Sequence, residues 1–305
     1  MDLELKTALV TGGTGFIGTI LCARLVQSGF KVYVLTRSEN MVLHSRNNLI
    51  VYVNKLEMLG KVEIDVFINL AGEAISQRWT RKVKEEIYNS RILTTRYAID
   101  YMKSLKKRPQ LFISGSAVGY YGVDSLKVFD EETGFSNDPK GFAQYLCQSW
   151  EAEARRAETL GVRVVLLRIG PVLEKNGGIL SKLLPSFYLG LGSQIGNGSQ
   201  CFSWIDRDDL IDLILFIISN TQIYGPINAT APNPVTNKDF SLALAKAINR
   251  PCLIKIPEFI LRLIFGQMAE EIMIQGQKVL PQKALHHGFR FVYPTLEKSL
   301  EKIFR

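Results

Sequence analysis

Short apolar runs alternate with stretches of helical spacing through the first half of the chain, and turn residues separate one from the next. Residues 7–10 form a first apolar run. Ile17, Ile20, Leu21 and Leu25 then share one face of a 3.6-residue period, Gly29 closes that helix, and residues 31–35 are apolar again. Runs at 49–53, 65–70, 111–114 and 162–167 predict a third to a sixth strand, and their lack of polar alternation fits parallel strands covered on both faces. Val83, Ile87, Leu93 and Tyr97 mark a helix over 80–103, a second helix spans 142–160, and the loop between Ser38 and Asn48 is expected to be exposed. Strand and helix in alternation predict an α/β fold, a doubly wound parallel sheet of the Rossmann kind.

The second half is less regular. An apolar helix is expected around 180–191, and a helix over 204–219 has Ile205, Leu210, Ile214 and Ile217 to set against the sheet. Pro226, Pro232 and Pro234 mark irregular connections before helices at 237–248 and 294–304. The pattern divides into a Rossmann domain over 1–172, with 200–230 packing back on it, and a smaller mixed domain from 173–199 and 231–305 that would shape a substrate pocket.

At 305 residues and 47% apolar content the chain can bury a large core, which excludes a disordered class. Its net charge of +8 gathers near 78–84 and 103–108 without interleaved stacking aromatics, so a solvated basic face that partly serves an anionic cofactor is expected, and no nucleic acid partner. Cys22, Cys147, Cys201 and Cys252, with His44, His286 and His287, fall into no metal-ligand spacing; no metal is expected. The first residues hold two acids and no apolar run of signal length, and charges interrupt the later apolar stretches, which predicts a cytoplasmic protein without a membrane span.

The chemistry gathers where strands end. Gly12, Gly15 and Gly18 sit between the first strand and the first helix, where glycines permit a tight turn, close approach of a pyrophosphate and a helix N-terminus aimed at it. After the second strand an NAD site wants a carboxylate for the ribose hydroxyls; this chain reads Thr36-Arg37-Ser38, and a guanidinium there suits a 2′-phosphate, so NADP(H) is the expected cofactor. Leu70 and Ala71 end the fourth strand as lining residues. Gly115 to Gly122 ends the fifth with Ser116 and Tyr121 among its hydroxyls. Glu86 and Arg91 by themselves read as a solvated helix face.

Residues 12–18, Asn69-Leu70-Ala71-Gly72-Glu73, Ser90-Arg91 with Thr94-Thr95, Trp150-Glu151, Arg168 with Val172-Leu173, Phe202-Ser203-Trp204-Ile205, and Gly276-Gln277-Lys278-Val279 with Pro281 and Gly288-Phe289 span almost the whole chain. In these stretches it resembles the extended, atypical branch of the short-chain dehydrogenase/reductase superfamily, and more closely the NAD-dependent epimerase/dehydratase-like proteins, called epimerase family proteins, that end in a small domain of unknown function. The resemblance implies an NADP-binding Rossmann domain with a smaller substrate domain over its edge. It also implies cofactor contacts from Gly12, Gly15, Phe16, Ile17, Gly18, Thr36, Arg37, Leu70, Ala71, Glu86, Arg91 and Val172, which for Glu86 and Arg91 replaces the reading as a solvated face.

One departure bears on catalysis. The wider superfamily places a lysine four residues after a tyrosine, to lower the phenol pKa and hold the ribose. Here Tyr145 is followed at that spacing by Ser149, and if Trp150 stands in the lysine's place its partner is Leu146. A phenol near its reference pKa of about 10 is a poor base at neutral pH. Ser116 and Tyr121 are the candidate catalytic substitutes, with the alternative that they are loop hydrogen-bonders lining the nicotinamide pocket. Two functions follow: an NADP(H)-dependent oxidoreductase or epimerase on a small polar substrate of unknown identity, or a catalytically silent NADPH-sensing or partner-binding protein.

Overall fold

In the computed structural model, which describes residues 5–43, 48–134 and 138–305, the apolar runs become β1 (Lys6–Thr11), β2 (Phe30–Leu35), β3 (Ile50–Val53), β4 (Val66–Asn69) and β5 (Leu111–Ala117). Next come β6 (Asp124–Phe129) and β7 (Arg163–Ile169). A parallel sheet runs in the order β3, β2, β1, β4, β5, β7 and, at the far edge, Gly225–Ala229. The order reverses beside β1, and register places Thr11 next to Leu35 on one side and Asn69 on the other. The carboxyl ends of β1, β2 and β4 therefore meet at the switch point where open α/β sheets bind ligands.

Strand residues alternate between two covered faces. Val10, Val32, Ile68 and Ile113 pack under α1 (Gly18–Gln27) and α6 (Arg207–Ser219), which contribute Leu21, Leu25, Leu210 and Ile214. Leu9, Phe67, Phe112 and Leu166 face the other way, onto Ile99 and Met102 of α3 (Arg81–Ser104) and Ala154 of α4 (Phe142–Arg155). Each fully buried large apolar side chain contributes about 1.5–3 kcal/mol, which explains strands with so few polar positions.

Some expectations need correction. Pro226 does not lie in an irregular connection: Gly225–Ala229 pairs with β7 as the sheet's last strand. A proline is tolerated there because its missing N–H faces outward, and Asn228, the next residue on that side, donates its N–H to the buried carboxylate of Glu131 at 2.9 Å. The helix expected from 204 begins at Arg207, because Ile205–Asp206 pairs with Val172–Glu174 and the Asp206 side chain accepts from Asp208 N–H as a cap. Within the loop expected from Ser38 to Asn48, Glu39–Leu43 is a short helix, α2, while residues 44–47, His44 among them, lie outside the described residues, as do residues 1–4.

The remaining elements pack partly on the sheet and partly on one another. α5 (Leu180–Tyr188), α7 (Asn237–Ala247) and, at the chain's end, α10 (Leu296–Phe304) enclose Trp204 and Phe240 in a core of their own. α8 (Glu258–Phe265), not anticipated, precedes a π-helical turn, Ala269–Ile274, and Gln277–Val279 pairs with β6. α9 (Gln282–His286) lies beside the edge strand. Asp209 anchors the last loop by accepting the N–H groups of Val292 and Tyr293 at 2.8 and 2.9 Å. Among the described residues, no helix is long and apolar enough to cross a membrane, and no cluster of His, Cys, Asp or Glu could hold a metal ion.

Candidate cofactor and substrate cleft

Three glycines shape the turn after β1 by leaving out a side chain. Gly12 has a φ of +71°, and a Cβ there would come within 2.7 Å of the Leu70 carbonyl; one at Gly18 would lie 2.1 Å from the Gly12 oxygen. Gly15 closes the loop by donating its N–H to that same oxygen at 3.0 Å. α1 then opens from Ile17 without a capping side chain, so the N–H groups of its first turn have no side-chain acceptor. A backbone cradle closed to any Cβ, in front of an uncapped helix start, fits a pyrophosphate.

The neighbouring strands bring the other expected contacts to this cradle. Ala71 donates its N–H to Thr11 Oγ1 at 3.3 Å and Leu70 donates to the Thr11 carbonyl at 3.1 Å, which holds both against the glycine turn. Thr36 is buried at the end of β2, and its Oγ1 accepts from Ser38 N–H. Arg37, the next residue, is exposed and has no partner among the described residues. Leu35 is the register neighbour of Thr11, so Arg37 follows two residues after the strand end that adjoins the glycine turn.

Arg91 is half-buried and its pKa is lowered by burial. Its guanidinium lies against Gly72, over the Trp150 ring at 5.3 Å, and donates to the Ile87 carbonyl at 3.2 Å, without a carboxylate partner among the described residues. An unpaired cation next to the loop after β4 suits an anionic ligand. Glu86 is exposed on the same helix and pairs with Lys82 at 3.8 Å, touching none of the other expected contacts. Phe16 and Val172 meet across the cleft: Gly177 and Gly178 fold over the Phe16 ring, and a Cβ on Gly178 would fall 2.5 Å from the Val172 oxygen.

Ser116 and Tyr121 are both held in a buried polar network. Neither faces the cleft. Ser116 is 3% exposed and donates to Glu151 Oε1 at 2.8 Å; Tyr121, 7% exposed, donates to Asn228 Oδ1 at 2.8 Å and accepts from Arg168 Nη1 at 2.9 Å. Both serve a buried ion pair in which Arg168 grips Glu151 with two bonds of 2.8 and 2.9 Å and lies over the Tyr120 ring at 3.4 Å. Burial pushes the Tyr121 phenol up to about 12, against the lowering effect of Arg168, so it is neither placed nor poised for proton transfer.

The rotation of α4 decides which of its side chains reach the cleft. Tyr145 points away, 48% exposed and stacked on Tyr88 at 5.8 Å, while Trp150 turns inward to donate to Thr95 Oγ1 at 2.9 Å. The α4 residues that line the cleft, packed on Gly119, are Ala143 and Cys147, which stand four apart. A methyl group and a thiol thus stand at that four-residue spacing on the cleft side of α4. Burial pushes the Cys147 thiol up to about 12, so it stays protonated at neutral pH. Sequence spacing could not find this pair, because neither residue belongs to the types expected there.

The cleft between these walls has a volume of about 400 Å³ and runs from Phe16 and Val172 past Val118 and Gly119 to the π-helical turn. Glu271 of that turn enters it unanticipated. Its carboxylate accepts the N–H groups of Phe142 and Ala143 at 3.1 and 2.8 Å and so caps α4 from the far end of the chain. Across the mouth Lys182 of α5 donates to the Ser76 carbonyl at 3.0 Å and to its hydroxyl.

Two family models match the chain: the NAD dependent epimerase/dehydratase family over residues 8–229 and a domain of unknown function, DUF1731, over residues 256–303. The epimerase family protein YfhF of Bacillus subtilis is 38% identical over 299 residues, covering 96% of both chains. A crystal structure of human epimerase family protein SDR39U1 with NADPH superposes with a TM-score of 0.87 at 30% identity, covering 97% of this chain and 98% of that one. A nucleoside-diphosphate sugar epimerase from Corynebacterium glutamicum superposes with a TM-score of 0.77 at 29% identity, covering 99% of this chain and 58% of the other.

Proposed function

The chain belongs to the NAD dependent epimerase/dehydratase family, and from that premise we propose that it is an NADP(H)-binding oxidoreductase or epimerase of the atypical short-chain dehydrogenase/reductase kind. The observation that carries the choice of NADP(H) is Arg37, exposed and without a partner among the described residues just after β2, where an NAD site would hold a carboxylate. The human relative described with NADPH supports the same cofactor. Gly12, Gly15 and Gly18 would admit the pyrophosphate with the first turn of α1. Thr36 and Arg37 would hold the adenosine end, Leu70 and Ala71 would line the middle, and Phe16, Arg91 and Val172 would flank the end nearest the cleft. When bound, the nicotinamide supplies or accepts a hydride.

Fluorescence titration tests the reading. NADPH is expected to bind at least tenfold more tightly than NADH, and Arg37→Ala to remove most of that preference by weakening NADPH alone, since a charge-assisted bond to a phosphate contributes about 1.5–3 kcal/mol. Equal affinity for both nucleotides, unchanged by Arg37→Ala, would overturn it. A second reading, cofactor binding without turnover, is favoured by Ala143 and Cys147, because no group on α4 that reaches the cleft can move a proton at neutral pH. Tight NADPH binding with no oxidation of NADPH by any carbonyl compound would decide for it.

A further inference from the structure

Beyond the cofactor cradle the cleft is walled by Ile75, Val118, Ala143, Ile179, Phe202 and Ile272. Two of its lining side chains are charged, Lys182 and Glu271, and each is already engaged: Lys182 by Ser76, Glu271 by the start of α4. Ser203 is spent as well, donating to the Gln277 carbonyl at 2.7 Å and accepting from Val279 N–H at 2.9 Å, and Gln275 donates to Glu270 at 2.7 Å. Cys147 and Cys201 both have their thiol pKa raised by burial and stay neutral. A phosphate or carboxylate entering this space would lose its hydration against the apolar wall and face the Glu271 carboxylate, while the cation among the lining side chains, Lys182, is held at the mouth by Ser76. An uncharged compound with an apolar body and one small polar group meets no such penalty, and a wall of this composition is what binds it.

We propose that the inner cleft receives an uncharged, largely apolar carbonyl compound of the aryl aldehyde or aryl ketone class and rejects nucleoside diphosphate sugars and other anionic substrates. This rests on the cofactor reading above and replaces the small polar substrate expected from the sequence. The experiment uses the full chain saturated with NADPH, and follows its thermal unfolding and NADPH absorbance with 4-nitrobenzaldehyde, acetophenone or UDP-galactose. The aryl carbonyls are expected to raise Tm and UDP-galactose to leave it unchanged. Ile272→Glu, a change at an exposed side chain on the cleft wall, is expected to weaken the aryl compounds at least tenfold while NADPH affinity stays within about threefold. A protein that does not bind NADPH overturns both this proposal and the reading beneath it. One that binds NADPH but takes UDP-galactose in preference to the aryl carbonyls, or takes none of the three, overturns this proposal alone.

Discussion

Gly18 and Arg168 show how much single side chains decide, and in opposite ways. A methyl group at Gly18 would overlap the Gly12 oxygen at 2.1 Å, so Gly18→Ala is expected to open the turn and weaken NADPH at least tenfold in a fluorescence titration. Arg168 and Glu151 are both nearly inaccessible, and although burial alone would lower the arginine's pKa, the bonds and charge of Glu151 raise it. Arg168→Met strands the Glu151 carboxylate and should cost about 3–5 kcal/mol in urea unfolding, and converting Glu151 to Leu as well should recover part of it. The glycines were legible in the sequence because what they permit is local. The fate of Ser116 and Tyr121 was not, because Glu151, which engages the Ser116 hydroxyl, and Arg168 and Asn228, which engage that of Tyr121, lie tens of residues away along the chain.

Elements follow the same division. The strands of the sheet's interior could be read directly, since burial on both faces leaves an uninterrupted apolar run. The edge strand Gly225–Ala229 could not, because a proline that forbids a central strand is compatible with the outermost one. Spacing also predicted that α4 exists but not how it is rotated, and rotation decides that Ala143 and Cys147, not Tyr145, meet the cleft. That helix begins at Gly141 with no capping side chain of its own, and Glu271 supplies the acceptor instead. Glu271→Ala is therefore expected to cost about 1 kcal/mol, seen as a lower Tm, and Glu271→Gln to restore only part of the loss, because an amide has one acceptor oxygen for the two N–H groups.

At the scale of the whole molecule, a few buried carboxylates join the parts that follow α6 to the sheet. Desolvation by burial raises the Asp209 pKa from its ordinary value to about 6, against the opposing bonds from Val292 and Tyr293. A raised native pKa means that the native state holds the proton more tightly than the unfolded chain, whose value is near 3.9. Its contribution to stability is thus fully present below about pH 4 and is lost as pH rises through about 6. Relative to Asp209→Asn, which does not titrate, the wild-type protein should lose Tm steadily between pH 4 and 6.5; a constant difference across that range would show that the carboxylate does not titrate there. Glu131 joins the same parts at the other side of the fold, accepting from Asn228 and from Lys283 N–H at 3.1 Å. The rim of the sheet at Gly225–Ala229 offers no spare donor to a stranger's backbone, since Pro226 has none and Asn228 has given its own to Glu131. Growth of the sheet by edge-to-edge aggregation is blocked at that border, and Pro226→Val together with Glu131→Ala should unblock it, with light scattering rising on refolding.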